Sequence, residues 1–192
     1  MTREQWLNDA TVELSALLSE HGGELPEHVR VSCSWPSQSI RKRIGEAWSA
    51  ECSTDRAHET FISPILSDSV RVLDVLTHEL VHHCVGVEHG HKAPFARLAK
   101  AVGLTGKMTA TVAGPELTER LNAIAEKLGP YPHATLSPTD GRKKQGTRMI
   151  KCECPDCGYV ARTTGKWLSA YGAPLCPCNS EPMHVECESD DE

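Results

Sequence analysis

Apolar residues recur at a helical interval along the first twenty positions: Trp6, Leu7, Ala10, Leu14, Leu17 and Leu18 follow the i, i+3, i+4 rule. Thr2 with Gln5 fits a capping box and Gly22-Gly23 ends the run, which predicts an amphipathic helix over 2–21 closing one side of a core. Three short extended candidates follow, 28–34, 44–49 and 58–66, separated by the turn-rich stretches 35–39 and 52–55. In the third, Pro64 cannot donate to a ladder, which predicts an edge strand or a strand end. A second helical run, Val70 to Val85, starts after Ser67-Asp68-Ser69, residues that make good N-caps, and carries Leu73, Leu76 and Leu80 on its buried side. Phe95 to Val102 reads as a third helix. A fourth opens at Gly114-Pro115, with Leu117, Leu121, Ile124 and Leu128 sharing a face, and Gly129-Pro130 closes it. The polar stretch 137–146 reads as a solvated linker.

The second helical run carries the chemistry. It contains His78-Glu79-Leu80-Val81-His82, and residues four apart on a helix stand one above the other, so His78 and His82 can reach one metal ion. Glu79 beside them can hold a water for catalysis. A catalytic zinc takes three protein ligands and leaves a fourth position for water. The third should come from the segment returning after Gly86, where Glu88, His89 and His91 are the candidates. Asp74, one turn before His78, is either a solvated acid or a partner that orients the His78 ring. If the 58–66 strand is an edge, it could take up an extended peptide beside the metal.

Composition narrows the setting. The 192-residue chain is 39% hydrophobic, enough for one medium domain with a small metal-stapled module, and has nine aromatic residues among Phe, Trp and Tyr. The net charge of −6 hides an asymmetry: Tyr171 to Glu192 holds six acidic residues and no Lys or Arg. Between Thr139 and Ala170 there are seven basic residues and three acidic ones. The N-terminal stretch lacks the pattern of a secretory signal, and no apolar run approaches the ~18 residues of a membrane span, so a cytoplasmic protein with no membrane partner is expected. Five of the nine cysteines crowd between Cys152 and Cys178, which favours metal binding over disulfides. Cys33, Cys52 and Cys84 each stand alone and read as small buried residues.

Cys154-Pro155-Asp156-Cys157-Gly158 is a zinc-knuckle turn, and Cys176-Pro177-Cys178 follows after eighteen intervening residues. Cys154, Cys157, Cys176 and Cys178 form the expected tetrahedral set for a structural zinc, with Cys152, His184 and Cys187 as spare candidates.

His78-Glu79-x-x-His82 together with His91-x-x-x-Phe95 resembles the SprT-like zinc metalloproteases, the family of the DNA–protein crosslink protease Spartan. That family's pattern is His-Glu-x-x-His, a variable gap, then a His followed four residues later by Phe or Trp. Among the three candidates the resemblance implies His91 as the third ligand and leaves His89 as a rim histidine. Many members carry Gly directly after the third His, where this chain has Lys92. The resemblance covers about residues 25 to 105 and extends to a C-terminal zinc ribbon. It implies an α+β fold: a minimal zincin-type protease domain, with an N-terminal helix, a small mostly antiparallel sheet, the metal helix and following helices. The expected organisation is a protease domain over 1–130, a linker over 131–150, a ribbon over 151–182 and an acidic tail over 183–192.

The activity so implied is zinc-dependent peptide-bond hydrolysis, with one catalytic zinc on His78, His82 and His91, one structural zinc, and Glu79 as general base. Kinship with Spartan implies DNA-associated protein substrates. The chain itself adds the basic residues Arg142, Lys143, Lys144, Arg148, Lys151, Arg162 and Lys166, with Tyr159 and Trp167 as stacking groups, as a candidate nucleic-acid surface. The alternative is a non-enzymatic nucleic-acid- or transcription-associated protein that uses the ribbon as its binding module.

Overall fold

The computed structural model describes residues 1–38, 42–138 and 149–186, and divides into two compact units, Met1–Asp140 and Gly141–Glu192. Both mix helices with small sheets, so the α+β class holds. None of the described helices is long and apolar enough to cross a membrane.

In the first unit the leading helix, α1 (Arg3–Glu20), starts where its capping box places it: the Thr2 hydroxyl accepts from the Gln5 amide, and the Gln5 side chain accepts from the Thr2 amide. Its six periodic apolar residues are all buried. Trp6 packs on Tyr131 with ring centroids 5.0 Å apart, and its indole N–H donates to the Gly129 carbonyl at 2.9 Å. A buried Trp needs that partner for its one donor.

Strands β1 (Val29–Cys33), β2 (Gly45–Trp48) and β3 (His58–Ile62) form a sheet in the order β1-β3-β2. Two expectations are corrected here. The sheet is mixed rather than mostly antiparallel, because β1 runs parallel to β3 while β2 runs antiparallel to it. Parallel neighbours need a crossover connection, and the crossover contains β2 itself. Consequently β3 is the central strand and not an edge, and of the two places expected for Pro64 the strand end holds: it lies two residues past Ile62, where it breaks no ladder bond. The edge strand that faces the metal helix is β2.

That helix, α2 (Ser69–Val85), begins at Asp68, whose carboxylate accepts from the Arg71 amide at 2.8 Å, and ends at Gly86. It is buried over most of its circumference, with Leu73, Leu76 and Leu80 fully enclosed. α3 (Ala93–Val102) follows, with Pro94 in its first turn, and stops at Gly103 in the left-handed region. The next stretch, for which the sequence predicts no element, is a hairpin of β4 (Leu104–Lys107) and β5 (Ala110–Ala113). Met108 at its turn packs against the core, as a flexible side chain that fills a gap. α4 (Pro115–Leu128) buries Leu117 and Leu121.

The second unit is a three-stranded antiparallel sheet of β6 (Met149–Glu153), β7 (Val160–Thr164) and β8 (His184–Val185) in the order β7-β6-β8, with α5 (Gly165–Tyr171) after β7. Its buried cluster is Cys152, Cys154, Cys176 and Met183. So small a core does not hold a chain of this length without a metal or a cross-link.

A three-histidine centre and its cleft

α2 sets two imidazoles one turn apart, and the chain must then reverse to supply a third. It does so at two glycines. Gly86 sits at φ +94°, and Gly90 at φ 50° with ψ −136°, a combination open in practice to glycine alone. Between them a 3₁₀ turn, Val87–His89, carries the chain round, and His91 returns over the helix. Its Nε2 lies 3.2 Å from His78 Nε2 and 3.3 Å from His82 Nε2. Glu88 and His89, the other two candidates, stay exposed at the rim within 3.8 Å of each other. The Phe95 ring closes the floor, with centroids 4.9, 4.3 and 5.0 Å from those of His78, His82 and His91.

Three ring nitrogens converging this closely, in a buried setting, do not suit three protonated histidines. Burial holds the His78 pKa down to about 4 and that of His82 to about 3, with repulsion from neighbouring imidazoles adding to both; burial lowers that of His91 as well. The neutral rings turn lone pairs toward one point. His78 Nδ1 lies 2.7 Å from the Thr111 hydroxyl, and by donating there it leaves Nε2 free as an acceptor. His78, His82 and His91 therefore form a group that could hold a metal ion, with all ligand atoms within 4.8 Å.

The Thr111 contact replaces the expectation about Asp74. Asp74 is neither solvated nor bonded to His78: it is 6% exposed, pairs with Arg71 three residues earlier through Oδ2, and keeps Oδ1 buried with no hydrogen-bond partner among the described residues. β5 thus reaches the site through Thr111, which holds the His78 ring. No feature of the sequence pointed to Thr111.

Glu79 is 7% exposed. Burial, reinforced by the nearby Glu46 and only partly offset by Arg43, pushes its carboxyl up to about 8. Glu46 is itself held as a carboxylate by the Ser37 amide and hydroxyl, at 2.8 and 2.7 Å, and by Arg43. The histidines and Glu79 open into a cleft of about 640 Å³, walled on one side by the 42–47 segment containing β2 and on the other by 109–112 of the hairpin. β2 has no partner on its outer edge among the described residues.

His83 faces the other way, 2.8 Å from the Thr60 hydroxyl and stacked edge-on against His58, and belongs to the packing of α2 on β3. Cys33 and Cys84 are partly buried as small apolar residues. Cys52 is exposed on a 3₁₀ turn, contrary to expectation, because that turn sits on the surface outside the sheet.

In the second unit Cys154, Cys157, Cys176 and Cys178 form another group that could hold a metal ion. Their sulfurs approach at 3.3 Å (Cys176–Cys178), 3.5 Å (Cys157–Cys176) and 3.8 Å (Cys154–Cys178). The short Cys-x-Cys spacing works because Ser180 takes a left-handed conformation and its amide closes on the Cys176 carbonyl at 2.8 Å. Backbone amides at Cys157 and Asp156 bring the Cys154 thiol down to about 7, while hydrogen bonds with Cys157 and Cys176 hold that of Cys178 up. Of the spare candidates, Cys152 is in the core, His184 is exposed, and Cys187 lies outside the described residues.

Arg142, Lys143, Lys144 and Arg148 also lie outside the described residues. Lys151 is paired with Glu153 and Glu186, at 2.5 and 2.7 Å. Arg162 and Lys166 are exposed, and Lys166 stands 5.1 Å from the Trp167 ring centre. Trp167 and Tyr171 stack at 5.7 Å beside a shallow cavity of about 430 Å³ that Arg162 also lines, and Tyr159 is about half exposed.

No protein-family profile matches the chain, and neither a curated protein nor a solved structure does.

Proposed function

We propose that the chain is a zinc-dependent metallopeptidase of the SprT-like kind, with a minimal zincin-type domain followed by a zinc ribbon. One observation carries the reading: a buried carboxyl, Glu79, stands directly beside a convergent group of three neutral imidazoles on the wall of an open cleft. A purely structural metal site has no use for a carboxyl that costs free energy to bury there. His78, His82 and His91 would hold the zinc. Zinc bound there supplies Lewis acidity, polarising a carbonyl, acidifying water and favouring the ionised form of Glu79. Glu79 then takes one proton from the attacking water as oxygen adds to the peptide carbon, and gives it to the leaving nitrogen as the C–N bond breaks.

The free edge of β2 gives an extended polypeptide a place to add a strand along the cleft. Within this reading the Cys154, Cys157, Cys176 and Cys178 zinc is structural, since four thiolates leave no open position. A second reading, in which the ribbon binds nucleic acid, is favoured by the exposed Trp167–Tyr171 stack beside Arg162 and Lys166, an arrangement on which bases can stack. It supports DNA-associated proteins as the substrates.

The test is bound zinc per chain together with hydrolysis of unfolded casein. The wild type is expected to hold two zinc ions and to cleave, His91→Ala to hold one and to be inactive, and Glu79→Gln to hold two and to be inactive. Cleavage that persists in Glu79→Gln would remove the assigned base. Two ions with no cleavage in the wild type would leave the non-enzymatic reading standing.

A further inference from the structure

We propose that Gly45 is the seat of the Glu79 carboxyl, a positioning residue whose missing side chain makes room for the catalytic base. The proposal rests on the peptidase reading for the role of Glu79. It rests on packing alone for the claim that Gly45 places it.

The pleat of the sheet sets the direction. In the antiparallel register Gly45 stands opposite Ile62 and Ala47 opposite Thr60. Ile62 and Thr60 are fully buried, and the Thr60 hydroxyl bonds His83 of α2, so this is the sheet face turned toward the helix. A side chain at position 45 would point at α2. Beneath it lie Val75 and Glu79, one helical turn apart on a single face. A Cβ at position 45 would sit 2.7 Å from Val75 Cγ1 and 2.9 Å from Glu79 Cγ, and closer still to Glu79 Oε1. Carbon atoms in ordinary contact stand about 3.5–4 Å apart.

Backbone torsion does not explain the glycine, because Gly45 is not among the positive-φ positions. Space does. Val75 is β-branched on a helix, with one strongly preferred rotamer, and cannot swing aside. Glu79 has the freer side chain, and the open volume beside it is the cleft. An alanine at 45 would therefore drive the carboxyl off its seat and into the space where substrate must lie. The glycine also lets the edge strand approach the base closely, so that one residue fixes both the wall of the cleft and the position of the proton-transfer group.

The decisive experiment is Gly45→Ala in the zinc-loaded full chain, read three ways. Zinc content should be unchanged, since no ligand is touched. The kcat for unfolded casein should fall by about 10²-fold, the cost of displacing a reacting group by about 1 Å. The ¹³C resonance of the Glu79 carboxyl, assigned by its loss in Glu79→Gln, should move. A cycle with Glu79→Asp adds a coupling test: shortening the base should cost much less in the Gly45→Ala background than in the wild type, because groups in contact do not act independently.

Unchanged kcat with an unmoved resonance would overturn the proposal, as would losses that simply multiply. If Gly45→Ala does not fold, Gly45→Ala/Val75→Ala removes the other crowded contact. That variant should fold with the resonance still displaced and turnover still low, whereas restored turnover would assign the effect to Val75 and overturn the proposal. If the wild type cleaves nothing, the peptidase reading fails on its own, and the resonance alone decides: moved by Gly45→Ala, the seat stands; unmoved, it falls.

Discussion

The Glu79 carboxyl should leave a thermodynamic trace in the metal-free protein. Burial, with Glu46 adding to it, raises its pKa from 4.5 to about 8. Because the folded value lies above the unfolded one, the folded chain keeps a proton that the unfolded chain gives up from about pH 4.5. The contribution of this group to stability is thus complete below pH 4.5 and is lost as pH rises through about 8. Over the whole window the loss is on the order of 5 kcal/mol, and between pH 6.5 and 8 it is about 2 kcal/mol.

The buried histidines act in the opposite sense. Their folded pKa values are depressed, so they weaken the fold as pH falls through about 6.5, a slope that wild type and Glu79→Gln share and that cancels between them. Urea unfolding of chelator-treated protein at pH 6.5, 7.2 and 8.0, on wild type and Glu79→Gln, isolates the carboxyl. Trp167→Phe in both backgrounds leaves Trp6, Trp35 and Trp48 of the first unit as reporters. Glu79→Gln should gain about 2 kcal/mol relative to wild type across that range. Parallel curves for the two proteins would refute the reasoning, because a carboxyl already ionised at pH 6.5 in the fold cannot be the buried group described.

Two further outcomes follow from the ligand groups. Thr111→Val removes the hydroxyl that fixes the His78 ring, and should weaken zinc binding at the three-histidine group by about 10- to 100-fold, read by competition with a chelating dye, with the cysteine group unaffected. Cys154→Ser should cost the second unit its zinc and, with it, the β6–β7–β8 sheet, seen as loss of amide dispersion for 149–186 with the signals of the first unit unchanged.

What the sequence disclosed depended on how local each feature is. α1, α2 and α4 were legible because a 3.6-residue period and a capping side chain both lie within the element they specify. The His78–His82 pair was legible for the same reason. His91 needed the family pattern, since what brings it back is the backbone of Gly86 and Gly90, which residue types alone do not reveal. The order of the sheet was not legible: Pro64 suited an edge strand or a strand end alike, and only the pairing shows that the strand has already ended before it. The hairpin was hidden by its shortness, four residues a side with Gly106 in the first strand, so Thr111 could not be found. Asp74 was misjudged because an acid three residues after an Arg can face either way on a helix, and only the packing of β5 against α2 decides it.

The three imidazoles are drawn from a stretch of only fourteen residues, 78 to 91, most of it one helix. The sheet beside them must instead bring together strands about thirty residues apart. Loop closure grows costlier with separation, so the helix-and-return segment closes a shorter loop than the pairing of β1 with β3, or than the contact of Gly45 with Glu79 across thirty-four residues. The three-histidine group draws on neighbours along the chain, whereas Gly45 meets Glu79 only with the edge strand in place. A chain whose edge strand had not yet docked would have its three imidazoles together but Glu79 without its neighbour Gly45, able to gather round an ion with no carboxyl held in place beside it.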